Sequence, residues 1–256
     1  MTRLLSVVAG ACLTAAVPLA LPTGQTVAAS SQKPAAAPAE PGWISLFDGK
    51  TLTGWRGYKK TDAVDSRWVV QDGQLTLAPK DGKDTRGARD IITTETFDLF
   101  ELSWEWKVSL GGNSGVKYYV LEDQNSAIGH EYQIIDDERH ADAKIGPHRQ
   151  TAAFYDVLAA PKPRPIKPAG EWNTSMVRAA PSRAVPGGTT VTHFLNGAQV
   201  LEYELGSPEL GAAIAKSKFK DVARFGKRNK GHILLQDHGD QVWYRNIRIR
   251  RLPAQS

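Results

Sequence analysis

The stretch "FELSWEWKVSL", residues 100–110, alternates without a break. Leu102, Trp104, Trp106 and Val108 fall on one side of an extended chain, and Glu101, Ser103, Glu105 and Lys107 on the other. Two indoles on one face set the register, because burying each is worth on the order of 4–6 kcal/mol at about 25 cal/mol per Å2. A slip of one residue would bury glutamate and lysine instead, at far greater cost. The stretch is therefore a strand with one face in a core and one toward water, and a second layer must cover its indoles.

The rest of the chain supplies that layer. "RWVVQDGQLTLAP" places Asp72-Gly73 between two β-prone runs, and "THFLNGAQVLEYEL" repeats the arrangement with Asn196-Gly197. Both pairs suit a tight hairpin turn, which needs positive φ at its two central residues. "GVKYYVLE", "HEYQIID", "HILLQDH" and "QVWYRNIRIRRL" read as further strands, while "SPELGAAIAKSKF", opening at Ser207 or Pro208, is the one helix-like segment. Many short strands and one short helix predict an all-β sandwich of two antiparallel sheets.

The first 42 residues do not fit that pattern. Residues 1–29 carry one arginine, then an apolar run, then small residues with Val27 and Ala29 at the cleavage slots, which is the pattern of a secretory signal. Pro18 and Pro22 interrupt the run before the roughly 20 residues a membrane span needs. The only cysteine, Cys12, lies inside this leader, so the mature chain offers no thiolate or disulfide. Acylation at Cys12 is the alternative, but the apolar run continues past it. Residues 30–42, "SSQKPAAAPAEPG", are too poor in apolar bulk to order themselves and read as a spacer. Residues 43–253 remain as one domain of a secreted protein.

The net charge of +5 becomes +4 once Arg3 leaves with the leader (5 − 1). Basic residues gather late, in "KSKFKDVARFGKRNKGH" and "RNIRIRR", but the arginines alternate with Ile247 and Ile249 as on a half-solvated strand. A charged outer face explains them better than nucleic acid does. There is no Gly-rich phosphate loop, no G-x-S-x-G elbow and no H-E-x-x-H, which removes nucleotide enzymes, ordinary serine esterases and zincins from the leading classes.

The polar stretch that most needs an explanation is "GHEYQIIDDERH", residues 129–140. Tyr132 and Ile134 alternate with Glu131 and Gln133, then a run of acids ends in His140. If the aromatic side packs inward, Glu131 and Gln133 are forced outward, as are Glu105 and Lys107 on the earlier strand. A curved sheet would gather these residues in a shared groove.

"LFDGKTLTGW", "NSGV", "EYQIID", "KPAGEWN", "LNG" and "GHILLQDHGDQVWYRNIRI" occur in that order across nearly the whole domain. Together they make the chain similar to the 3-keto-disaccharide hydrolase family, also described as 3-keto-glucoside 1,2-lyase/3-keto-2-hydroxyglucal hydratase domains. The resemblance implies a concanavalin-like jelly-roll sandwich and an exported enzyme acting on 3-keto glycosides. A C3 carbonyl makes the C2 hydrogen acidic; a base removes it, the C1 substituent leaves, and water adds back. Such chemistry needs a base working near neutral pH, an electrophile for the enolate oxygen and an acid for the leaving group. A divalent metal ion of unspecified identity is one source of the electrophile.

Glu131, on the "EYQ" element, is the first candidate base or metal ligand, against a surface carboxylate paired with a lysine or arginine. His238, at the end of "LLQDHG", is the second, as ligand or proton shuttle, against a turn histidine; Asp237 beside it reads as a turn stabiliser. Lys117 would alternate with Val116 and Tyr118 and bring a cation to the enolate, against a plain ion pair with Glu105 or Glu131. Glu105, Gln133 and Asn113 are expected to contact substrate. Asp136 is expected to do so too, although Asx turn chemistry explains an aspartate there equally well. Tyr155 is the candidate sugar-stacking ring, with Trp172 assigned to the core. His130, Asp137, His140 and His148 are weaker candidates. The rival to an enzyme is a non-catalytic, lectin-like carbohydrate-binding module on the same sandwich. An ordinary glycosidase would instead show two carboxylates about 5–10 Å apart.

Overall fold

The alternation at residues 100–110 forms the long strand β6, and its indoles are the centre of the core: Trp104 and Trp106 are each 1% exposed. The computed structural model describes residues 42–61, 67–78 and 90–254. The leader, Cys12 and the spacer as far as residue 41 lie outside these residues.

Thirteen strands are described. They are β1 (Ile44–Ser45), β2 (Trp55–Gly57), β3 (Trp68–Gln71), β4 (Gln74–Leu77), β5 (Ile91–Thr93), β6 (Phe100–Val108), β7 (Asn113–Val120) and β8 (His130–Ile135), then β9 (Asn173–Pro181), β10 (Thr189–Leu195), β11 (Ala198–Glu204), β12 (His232–Leu235) and β13 (Val242–Arg251). The larger sheet runs β11-β10-β9-β6-β13-β4-β3, with β1 also paired to β13, and the smaller runs β2-β5-β12-β7-β8. Every pairing is antiparallel. The result is a concanavalin-like jelly-roll sandwich with one short helix, α1 (Pro208–Ile214), whose Ser207 cap accepts the Leu210 N–H.

The two hairpins form where the turn chemistry places them. Asp72-Gly73 and Asn196-Gly197 all have positive φ, at 52°, 73°, 47° and 85°. Between the sheets, Trp104 meets Tyr132 edge to face at 5.0 Å. The Trp106 indole donates to Ser175 Oγ, which donates in turn to the Tyr132 hydroxyl, each at 2.8 Å. A polar chain crosses the same core. His130 Nδ1 lies 3.0 Å from the Tyr203 hydroxyl, Tyr203 meets Tyr118 at 2.7 Å, Tyr118 meets His193 Nε2 at 2.7 Å, and His193 Nδ1 reaches the Ala152 carbonyl at 2.8 Å.

The expected shared groove does not form. Strand β6, with Glu105 and Lys107, lies in the larger sheet, and β8, with Glu131 and Gln133, in the smaller. Their inward faces meet in one core, so their polar faces look out from opposite sides of the sandwich. Pleat parity fixes which way a side chain points from its own strand. It does not decide which sheet the strand joins.

Candidate active site

Pairing registers arrange the outward side chains of the smaller sheet in rows. Arg56, Ile92, Leu234, Lys117 and Glu131 form one row across all five strands. Tyr155 extends it, because its N–H donates to the Glu131 carbonyl at 3.0 Å. The next row holds Asp90, Gln236, Gly115 and Gln133: Gln236 N–H donates to the Gly115 carbonyl at 3.0 Å, and Gly115 pairs with Gln133. Asn113 and the loop residue His238 lie beyond it, toward one end of the sheet. Of the residues singled out from sequence, Glu131, Lys117, Gln133, Asn113 and Tyr155 share this face, and His238 stands at its edge.

Glu131 is held by its surroundings. Its carboxylate bends over Gly115, where a Cβ would stand only 2.6 Å from Glu131 Oε1, so the glycine makes the space the carboxylate uses. The Lys117 ammonium is 3.6 Å from Glu131 Oε2 and donates to the Ala127 carbonyl at 3.1 Å. Residues 151–155 lie along the free edge of β8, with Ala152 N–H donating to the Gln133 carbonyl at 2.9 Å. The Glu131 side chain is 6% exposed. Burial pushes its carboxyl up, opposed by the charges of Lys117, Lys218 and His238 and reinforced by Asp90.

Beside this group opens a hollow of about 530 Å3, lined by Tyr58, Lys60, Asp90, Ala127, Gln236 and His238 among others. His238 is exposed at its wall. Asp90 accepts the Asp237 N–H at 2.9 Å, and burial raises its carboxyl too, opposed first by Lys117. Asp237 accepts Arg67 at 3.2 Å and the Gly239 N–H at 2.9 Å, so it anchors the turn that presents His238, as its sequence position suggests. The buried oxygens Gln236 Oε1 and Asn113 Oδ1 have no donor among the described residues.

Several candidates belong elsewhere. Glu105 accepts Arg245 at 2.8 Å and Asn246 at 2.6 Å on the outer face of the larger sheet, so it is not part of this group. Asp136 is spent on its turn. Burial opposes its ionisation, but the Gly111 and Glu138 N–H groups and Arg139 hold its carboxyl below the ordinary value. Asp137 pairs with Arg164 and accepts the Thr151 N–H, and His140 Nδ1 accepts the Asp142 N–H. His130 points into the core, where burial lowers it to about 3, and His148 lies 3.7 Å from Asp156. Trp172 lies on the outer face of the larger sheet under Arg245, at 4.0 Å, rather than in the core. Tyr155 has the Lys218 ammonium 4.1 Å from its ring centre, so a stacked sugar on that face would have to displace a cation.

Sequence missed Asp90 and Lys218. Asp90 was recoverable, because it shares strand parity with Ile92 at the head of a strand whose Ile91 is core. Lys218 sits in "KSKFK", where nothing separates it from solvated lysines. A metal fits these residues poorly: among the described residues no three His, Cys, Asp or Glu side chains group as a cation cage, and Lys117 stands where a cation would meet Glu131.

The profile of the 3-keto-alpha-glucoside-1,2-lyase-like domain matches residues 42–250. A protein of Bacteroides thetaiotaomicron named 3-keto-disaccharide hydrolase is 38% identical over 237 residues, which is 82% of this chain and 79% of that one. Two crystal structures from Parabacteroides distasonis, each named "putative glycosyl hydrolase", are 29% identical to it. One superposes with a TM-score of 0.70 over 83% of this chain and 94% of its own, the other with 0.62 over 82% and 99%.

Proposed function

This chain belongs to the 3-keto-alpha-glucoside-1,2-lyase-like family, and from that premise we propose that it is an exported enzyme cleaving 3-keto glycosides by elimination and hydration. The observation that carries the proposal is Glu131: a buried carboxylate bent over a glycine, 3.6 Å from an ammonium, beside an open hollow on an outer sheet face. A lectin-like groove has no need of a desolvated proton acceptor.

Glu131 takes the C2 proton. Desolvation makes its carboxylate a better base than an exposed one, and the neighbouring Lys117 brings positive charge to the C3 oxygen as the enolate forms. The C1–O bond then breaks, the aglycone leaves as an alcohol, and water adds at C1 while the C2 proton returns. Gln236, which lines the hollow, suits a sugar hydroxyl. His238, exposed to solvent, exchanges protons at the rim. Because the donor set does not form a cation cage, no step is routed through a metal.

Purified protein is expected to release sugar from a 3-keto glucoside and to leave the unoxidised glucoside intact. Glu131→Gln is expected to abolish release while keeping the melting temperature. Saturable glycan binding without turnover would favour the lectin-like module, and cleavage of the unoxidised glucoside would favour an ordinary glycosidase. Release that stops with chelator and returns with a divalent ion would establish a metal requirement, and secretion of the full chain by its host would test export.

A further inference from the structure

Elimination followed by hydration moves two protons at two carbons. Glu131 accounts for the one at C2. In an α-glucoside the C2–H and C1–O bonds are both axial and point to opposite faces of the ring, so one carboxyl cannot serve both. A second proton-transfer group should stand apart from the first, within reach of the C1 oxygen.

Asp90 has that place. It lines the hollow directly. It stands on the face that bears Glu131, separated from the Gly115 position by one strand, with Gln236 between them. At about 4.8 Å per strand this puts its backbone roughly 10 Å from the glycine over which Glu131 bends, which leaves room for a pyranose ring set edge-on. Its orientation is fixed, because one oxygen accepts the Asp237 N–H at 2.9 Å and Asp237 is itself tied to Arg67. Its other oxygen has no partner among the described residues. We propose that Asp90 is the second catalytic carboxyl, acid to the leaving C1 oxygen and then base to the incoming water; this rests on the 3-keto glycoside activity proposed above.

The steps balance. Glu131 gains the C2 proton and the enolate forms on the C3 oxygen. The enolate electrons then make the C1–C2 double bond as the C1–O bond breaks, and the Asp90 carboxyl gives its proton to the departing alkoxide. Both groups are now exchanged: Glu131 is protonated and Asp90 ionised. Water adds to C1 and loses a proton to Asp90, the double-bond electrons return through C2 to the C3 oxygen, and Glu131 gives its proton back to C2. The net change is hydrolysis, and one pair of carboxyls serves both halves. Lys117 assigns the two roles, since its ammonium adjoins Glu131 and therefore the C2–C3 side of the ring.

The test compares two leaving groups. Wild type, Asp90→Asn and Glu131→Gln are assayed on a methyl and on a 4-nitrophenyl 3-keto-α-glucoside, and C2–H exchange in deuterium oxide is followed by NMR. Nitrophenoxide needs no acid to leave. Asp90→Asn is expected to lose about 100-fold or more in kcat/KM on the methyl glycoside, less than about tenfold on the nitrophenyl glycoside, and to keep C2 exchange. Glu131→Gln is expected to lose both activities and the exchange. Equal loss on both substrates, or full turnover of the methyl glycoside by Asp90→Asn, overturns the proposal. Should Asp90→Asn fail to fold, the wild-type pH profile decides: an alkaline fall in rate with the methyl but not the nitrophenyl substrate supports an acid of this kind, and the same fall with both refutes it. A wild type that cleaves neither 3-keto substrate would instead overturn the activity itself, and Asp90's role with it.

Discussion

Glu105 and Glu131 have the same origin in sequence and different fates in the structure. Each sits on the polar side of an alternating strand and each meets a cation. Glu105 is 2.7 Å from Arg245, with the two side chains 26% and 29% exposed. Glu131 is 3.6 Å from Lys117, with side chains 6% and 12% exposed. The difference comes from the surroundings of each side chain. Glu131 folds back over Gly115 beside Lys117 and is closed off from water, whereas Glu105 stands on a sheet face whose charges water can reach. A solvated pair contributes little and does nothing further. A desolvated carboxylate costs stability, and that cost is what makes it a usable base.

The largest effect should separate the two positions outright. Glu131→Gln is expected to lower turnover of a 3-keto glucoside by about 100- to 10,000-fold, the range of a general base. Its melting temperature should hold, because the substitution keeps the shape and removes a buried charge. A variant with more than about a tenth of wild-type turnover would leave Glu131 no better placed than Glu105.

The next effect belongs to the other side of the same strand. His130 adjoins Glu131 but points inward, and burial lowers it to about 3, while His193 at the far end of the tyrosine chain is lowered to about 4, against an ordinary 6.5. Both are depressed in the folded state, so the unfolded chain binds protons first. Their contribution is complete above pH 6.5 and is lost as pH falls toward 4 and then 3, about 2 kcal/mol per histidine at pH 5. Glu131, raised by burial, works in the opposite direction, since its protonation in acid relieves a folded-state cost. Denaturant unfolding at pH 7.5 and pH 5 measures the sum, and a protein no less stable at pH 5 would show that the histidines do not dominate it.

Gly115 allows a finer cut, because it tests how the carboxylate is held rather than whether it is present. A methyl group 2.6 Å from Glu131 Oε1 must push the carboxylate aside. Gly115→Ala is expected to lower kcat roughly 10- to 100-fold while the protein remains folded. Unchanged kinetics would mean that Glu131 can act from a second rotamer.

What sequence could reveal divides along the same line. Trp104, Trp106, Tyr132 and Ile134 were legible as core, and Asp72-Gly73 and Asn196-Gly197 as turns, because each depends on neighbours within a few residues. Parity also turned Glu131, Gln133 and Lys117 away from the indole core. It could not show that β6 and β8 join different sheets, which removes Glu105 from the group, nor that Glu131 would be buried. Asp136 failed for another reason: its polar neighbours suit a ligand site and an Asx turn equally, and the Gly111 and Glu138 N–H groups decide between them. Lys218 is brought to this face by contacts remote in sequence, which no local pattern encodes, whereas Asp90 was legible from its parity with Ile92.

The smallest expected effect is the control on which the comparison depends. Glu105→Ala breaks a pair that water already screens, so it should cost at most about 1 kcal/mol of stability. Arg245 has a second support, packing over Trp172 at 4.0 Å, and it should keep its place when the carboxylate is gone. A double-mutant cycle between Glu105→Ala and Arg245→Ala is expected to give a coupling of about 0.2–1 kcal/mol that weakens as salt is added. Turnover should be unchanged throughout, because the two residues face away from the hollow across the thickness of the sandwich. Loss of turnover in Glu105→Ala with the melting temperature intact would put the outer face of the larger sheet into the reaction, and burial would then no longer distinguish a working carboxylate from an idle one.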